Sequence, residues 1–425
     1  MQFATLLLYV IAILIRPQDW VGIMRGIPIV DMIVFVAVFF TFAALTKGSL
    51  KIPRVPENIL MIGFLVATLM SHVAHTYFGG IIFTIDCMSK IVIFFFLVLI
   101  IVDSKRKIDI LVSVIILAAV FMAINGMLQF YRGFGFVGDT PTIDTGIIRI
   151  RGYGIFHDPN DLALFFAVAF PFILMLIIRR RNLLELVFAS ISAVLVIGAT
   201  WLTNSRSGFL ALALAILVFF RRRLKGFKWI FFTAISVVLL LAFSPVRLTK
   251  SFFDQSSHER LMLWGYGNRM LRENPLFGVG YKMYASYAEW SAAHNSFINC
   301  YSELGLFGYF FWIALLYVAI IGLWNMNPQN NTRSTEENNE IMLTGDALLA
   351  GIVGYLVASM FLSRTYIIVL YLLIALSCKL RYIATDGTLF SGDLLERRHV
   401  RNIVAIEIVS VMFLYLTIKF MLSRY

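Results

Sequence analysis

Three observations predict an all-α polytopic membrane protein. Of the 425 residues, 60% are apolar and only 14% charged, with a mean hydropathy of +0.85. Apolar runs long enough to cross a bilayer recur along the chain. Lysines and arginines gather in short linkers between alternate runs. A water-soluble chain is nearer half apolar and a quarter charged. A cytosolic enzyme, a disordered protein and a nucleic-acid-binding domain are therefore excluded. The net charge of +12 bears on which loops face which side and on contact with membrane lipids, not on nucleic acid. Cys87, Cys300 and Cys378 lie in or beside apolar runs at no metal-binding spacing, so neither a disulfide framework nor a zinc site is expected.

A spanning helix takes about 20 apolar residues. Runs lie near 3–15, 27–46, 58–78, 85–102, 108–131, 161–178, 183–203, 207–220, 228–244, 296–324, 345–363, 366–380 and 402–420, predicting 11–13 spans. The first run is short. It has neither a basic start nor a small-x-small cleavage site, and reads as an uncleaved helix rather than a signal peptide. Within lipid every backbone polar group needs an internal partner, so helices carry the spans. Short strands stay open for the loops.

Fourteen of the 36 basic residues fall in four linkers: Lys47, Lys51 and Arg54; Lys105, Arg106 and Lys107; Arg179, Arg180 and Arg181; Arg221, Arg222, Arg223, Lys225 and Lys228. All four fall on one side, which the positive-inside rule makes cytoplasmic, with the N-terminus on that side. The polar linkers 325–344 and 381–401 then also lie inside and read as solvated loops. Two long loops, 132–160 and 245–295, fall outside. Long loops of this kind are uncommon unless functional. The chain divides into N-terminal helices (1–131), a core holding both outer loops (132–324), and a cytoplasmic linker with C-terminal helices (325–425).

The outer side carries the chemistry-bearing residues. Arg149 and Arg151 precede His157-Asp158-Pro159-Asn160-Asp161. Asp158 before Pro159 is a helix start, acceptor at the N-cap and proline at N1. A divalent-metal role for Asp158 and Asp161 is the weaker alternative, because no second acidic cluster accompanies them. Arg149 and Arg151 suit either lipid headgroups or a bound anion. Arg206, at a tight turn between two runs, is either a snorkelling side chain or a phosphate clamp. Ser256-Ser257-His258-Glu259 has the capping-box pattern and opens a helix over about 257–272 bearing Arg260, Arg269 and Arg272. Leu261, Trp264 and Leu271 give that helix an apolar face suited to a membrane surface. Arg364 also falls at an outer turn. His294 stands where a span begins; neutral imidazole there can accept a proton near neutral pH. Glu303 lies inside the same span, as Lys90 and Glu407 do in others, and intramembrane ionisable groups raise a functional question by default. Gly305 and Gly308 suit close helix packing.

These residues resemble a known family. His294-Asn295, nine residues, Gly305, two residues and Gly308 match the His-(Asn/Ser/Gln)-x9-Gly-x2-(Gly/Thr/Tyr) motif of bacterial O-antigen ligases. Arg206-Ser-Gly-Phe-Leu210 resembles the family's Arg-x3-Leu element. Arg151-Gly152…Phe156…Pro159-Asn160-Asp161-Leu162-Ala163 and Arg260…Trp264…Asn274-Pro275-Leu276-Phe277-Gly278-Val279-Gly280 resemble two further elements, in the family's order. The resemblance covers roughly 150–308; the N-terminal third and the last hundred residues match only as apolar spans.

The resemblance to the O-antigen ligase and O-antigen or exopolysaccharide polymerase superfamily implies a GT-C-like glycosyltransferase of the bacterial inner membrane with a periplasmic site and a helical outer loop. It implies a glycan donor on undecaprenyl diphosphate and, as acceptor, lipid A–core, a second lipid-linked glycan or a protein. His294 is then the expected general base. Arg206, Arg260, Arg151 and Asn295 are expected to bind diphosphate or glycan, with Arg149, Asn160 and Glu303 in support. The arginines would make a metal or other cofactor unnecessary. The competing reading is a transporter or flippase of a polar or lipid-linked solute, which would favour midplane polar sites on broken helices.

Overall fold

The computed structural model describes residues 1–24, 26–144, 146–224, 255–289, 291–327, 333–387 and 396–423. The expected span at 228–244 and the capping-box side chains of Ser256 and Ser257 lie outside what is described. The helices are α1 Gln2–Leu14, α2 Pro17–Trp20, α3 Ile29–Thr46, α4 Pro56–Val73, α5 Phe78–Ile101, α6 Lys105–Arg132, α7 Pro159–Arg179, α8 Leu183–Leu202, α9 Arg206–Phe219, α10 Gln255–Glu273, α11 Tyr284–Tyr287, α12 Ser296–Trp324, α13 Thr335–Ser359, α14 Ile368–Ala384 and α15 Arg397–Leu422. Among the described residues nine helices are long and apolar enough to span a membrane. The chain is an all-α polytopic membrane protein.

Every expected run within the described residues is largely helical, with corrections to the boundaries: α13 ends at Ser359 rather than 363, and the linker 381–401 holds the end of α14 at Ala384 and the start of α15 at Arg397. The run at 58–78 crosses a turn: α4 stops at Val73 and Phe78 already opens α5. Apolar Ala74 and Tyr77 in that turn hide the break from a hydropathy scan. The linker 325–344 is partly helix, because Ser334 and Glu337 form a reciprocal capping box that starts α13 at Thr335. In the first outer loop, β1 (Thr142–Asp144) and β2 (Ile147–Arg149) pair antiparallel, Thr142 opposite Arg149.

The packing centre is α7 with α9 and α13. Lipid supplies little hydrophobic drive between helices, so small residues set their approach. A methyl group at Gly208 of α9 would stand 2.3 Å from the Ala163 Cβ of α7. On α13, Gly351 and Gly354 face the Val168 and Ala167 carbonyls of α7, 3.2 Å from where a Cβ would be. By contrast α3 and α15 keep most of their apolar surface exposed, as lipid-facing helices do.

The bundle has two distinct ends. At one, Arg179 pairs with Glu185 (2.9 Å), Arg181 with Glu340 (2.5 Å), and Arg221 and Arg222 with Asp346 (both 3.2 Å). The basic linkers after α7 and α9 therefore meet the start of α13. At the other end lie the β-hairpin, the starts of α7, α9 and α12, and the turn between α13 and α14.

Candidate active site

The starts of α7 and α9 are joined by Arg149. Its Nε donates to the Thr203 carbonyl (2.9 Å), one Nη to Asn160 Oδ1 (2.9 Å), and the other reaches Asp144 (3.4 Å). Arg149 is buried and is therefore an internal tie, not a headgroup contact. Asp158 is the N-cap of α7, accepting from the Asn160 backbone N–H (2.7 Å), with Pro159 at N1. Ser205 caps α9 by accepting from Gly208 N–H (3.2 Å), which makes Arg206 the first residue of that helix. Arg151 donates to the Thr140 carbonyl (2.7 Å) and contacts His157 Nε2 (2.8 Å), so it braces the hairpin against the approach to α7.

The start of α12 is built by three neighbouring residues. Asn295 is the N-cap, its Oδ1 accepting from Phe297 N–H (2.9 Å) and Ile298 N–H (3.1 Å). Ser296 Oγ donates to the Leu362 carbonyl (2.6 Å) and accepts from Arg364 N–H (2.7 Å), while Thr365 Oγ1 donates to the Ser296 carbonyl (2.8 Å). Arg364 in turn grips Asp161 of α7 through two of its nitrogens. His294, just before the cap, has a left-handed backbone (φ 49°), a conformation a non-glycine residue holds only when its surroundings require it.

Helix α10 does not lie free on a surface. Trp264 Nε1 donates to the Ala293 carbonyl (2.9 Å), next to His294, and Asn268 reaches the Tyr415 carbonyl of α15 (3.3 Å). Its apolar residues Leu261, Met270 and Leu271 are buried within the protein. The segment after α10 plugs a break in α12. Gly305 has φ 62°, and the freed backbone groups pair with 275–280: Val279 N–H to Ser302 O (3.0 Å), Gly280 N–H to Glu303 O (3.0 Å), Leu306 N–H to Pro275 O (2.9 Å) and Phe307 N–H to Leu276 O (3.1 Å). Both glycines are required here. A Cβ on Gly278 would meet the Glu303 carbonyl carbon at 2.3 Å, and one on Gly305 the Leu276 oxygen at 2.3 Å. Glu303 is buried beside this plug and accepts from Tyr284 N–H (3.2 Å).

The electrostatics at His294 follow from this geometry. Burial, then the charges of Arg260 and Arg364, push the imidazole below its ordinary pKa, and Asp158 opposes them. His294, Arg260, Arg364 and Asp158 thus share one locality drawn from α12, α10, the α13–α14 turn and α7. Arg206 opens α9 at the same end. Three helix N-termini lie at this end, each capped by its own side chain (Asp158, Ser205 and Asn295), and the positive ends of their dipoles favour negative charge. Cations at such positions have the wrong sign for the helix dipole, and Arg364 is offset there by Asp161. Among the described residues no group of three or more His, Cys, Asp or Glu is arranged to hold a metal.

Residues 191–313 match a protein-family model described as O-Antigen ligase. The segment is of the O-antigen ligase superfamily. It contains Arg206, Arg260, His294, Asn295, Glu303 and both glycines of the motif, and ends before Arg364. No curated protein matches the chain. The superfamily assignment indicates an O-antigen ligase-like, glycosyltransferase-like enzyme in a multi-pass membrane protein.

The sequence places Arg364 at the outer turn without a role, and offers Asp161 only as a weaker metal-ligand alternative with Asp158. The structure joins the two. The signal that pointed to them was weak: a lone arginine between two spans, and an aspartate 203 positions away.

Proposed function

We propose that this protein transfers a glycan from undecaprenyl diphosphate to an acceptor at the periplasmic face of the bacterial inner membrane, as an O-antigen ligase or an O-antigen or exopolysaccharide polymerase. The observation that carries the reading is the meeting of arginines with helix N-termini beside His294. Arg206 and Arg260 bind the donor diphosphate, and the fork of a guanidinium suits its oxygens better than a point charge does. Arg151 is a third contributor. The leaving diphosphate is already ionised and needs charge stabilisation more than protonation. His294 accepts the proton of the acceptor hydroxyl, and its depressed pKa keeps it neutral and ready. Asn295 fixes the start of α12 under it. No metal is required by this scheme. The acceptor is lipid A–core, a second lipid-linked glycan or a protein.

The break in α12 is the feature a transporter reading would use. Its backbone groups, however, are consumed by 275–280 rather than left lining a cavity.

The test is transfer from purified undecaprenyl-diphosphate glycan to acceptor with chelator present. Activity that survives chelator and is lost in His294→Gln supports the scheme. Abolition by chelator restores the Asp158/Asp161 metal reading, and near-normal turnover by His294→Gln removes the base. Orientation is tested in a Cys87→Ser background with an impermeant thiol reagent on spheroplasts. Glu273→Cys should label and Arg181→Cys should not; the reverse pattern overturns the periplasmic site.

A further inference from the structure

Arg364 lies outside the segment matched to the family, 70 positions after His294 in the chain. Its side chain has little left to offer a substrate. Nε and one Nη are on Asp161, and the other Nη donates to the Ser363 carbonyl (2.9 Å). Its backbone is equally committed: the N–H donates to Ser296 Oγ (2.7 Å), and the carbonyl accepts from Tyr355 OH (2.5 Å). The next residue continues the clasp, Thr365 donating to the Ser296 carbonyl and accepting from Tyr371 OH (3.0 Å). The turn is thereby fixed to α7, α13, α14 and the first residue of α12 at once. His294 sits two residues before Ser296 in a left-handed conformation that such a clasp is suited to enforce.

We propose that Arg364 is a positioning residue for His294, holding the start of α12 on Asp161 of α7 and standing as a fixed positive charge beside the imidazole. This rests on the reading of His294 as the base. The charged groups facing His294 are Arg260 from α10, Arg364 from the turn and Asp158 from the α7 cap; the two arginines lower its pKa and Asp158 opposes them. The division of labour follows. A bound diphosphate offsets Arg260, and its own negative charge favours imidazolium. Arg364, turned to the protein, keeps its charge in the loaded enzyme and holds the base neutral when it is needed.

The experiment uses the full chain in detergent with ¹³C-labelled histidine, the His294 signal being the one lost in His294→Gln. Arg364→Gln should raise the His294 pKa by about half a unit or more. It should lower kcat with the donor KM little changed, and move the acid limb of kcat more than that of kcat/KM. Arg364→Lys keeps the charge without the fork, so the titration should stay near wild type while kcat falls roughly tenfold. An unmoved His294 titration in Arg364→Gln overturns the proposal. Should that variant not fold, Arg364→Lys decides alone, since full activity in it means the clasp is not needed. Near-normal transfer by His294→Gln would sink the base reading, whereas the effect of Arg364 on the titration would still be seen.

Discussion

The two ends of the bundle are both rich in arginine, yet the arginines stand in opposite relation to the helices. At the basic end, Arg179 is in the last turn of α7, Arg381 in the last turn of α14, and Arg221 just past α9. Cations there complement the helix dipole, and Glu185, Asp346 and Glu57 pair with them. At the other end, Arg206 opens a helix, and Arg260 and Arg364 flank the start of another. There the dipole and the side chains have the same sign. On the proposed reading, an anion bound at this end would meet both the dipoles and the side chains, whereas at the basic end carboxylates of the protein take that part. The same residue type thus stands at helix C-termini at one end and at helix N-termini at the other.

The comparison is broken most directly at His294. His294→Gln keeps hydrogen-bonding capacity without basicity, and transfer should fall by about 10²–10⁴-fold while the protein inserts and purifies normally. Wild-type activity should also decline as pH drops through a value below the ordinary 6.5, because burial and the flanking arginines depress the pKa and only neutral imidazole accepts a proton. A rate–pH profile whose acid limb lies above that value would contradict the arrangement.

Arg206→Ala should cost on the order of 10²–10³-fold in transfer, as for loss of one preorganised stabilising group, and Arg206→Lys should stay impaired because the fork is lost. If Arg206→Ala and Arg260→Ala both transfer at wild-type rate, the anion site is not where the helix starts place it. At the opposite end, Arg221→Ala should leave the enclosed Asp346 with a poorer partner and destabilise the fold, by up to about 3–5 kcal/mol for a buried pair. Thermal unfolding in detergent would read this loss, and transfer per folded molecule should hold. The smallest effect belongs to Arg181→Ala. That pair is half exposed, and stability should change by no more than about 1 kcal/mol with activity unaltered.

Much of this was legible beforehand, for reasons that can be named residue by residue. Apolar runs of spanning length mark helices because lipid leaves the backbone no other partner. Asp158-Pro159 marked a helix start by capping chemistry, and Asp158 is that cap; Asn295, expected only as a binding residue, also caps a helix. The opposite placement of the basic linkers and the long loops followed from counting spans between them. Less legible were the turn inside 58–78, where Ala74 and Tyr77 keep the hydropathy high around His75 and Thr76, and the start of α13 within a polar linker, where a capping box outweighs composition. The apolar stripe of α10 suggested a face laid on the membrane surface, and that reading is corrected. The stripe faces protein, with Trp264 tied to Ala293.

The sequence by itself determined that the chain is helical and membrane-spanning, which side of each span holds positive charge, and which residue types are available for acid–base and anion chemistry. These are properties of composition and order, set by transfer free energy and by local hydrogen bonding. Only the tertiary structure decided that Asp161 is the counter-ion of Arg364, that Arg149 is an internal tie, and that Gly278 and Gly305 meet backbone to backbone where 275–280 repairs the break in α12. Those contacts join positions tens to hundreds of residues apart. Each depends on a distance of a few ångströms that no local pattern encodes, and that close packing of small residues between helices supplies.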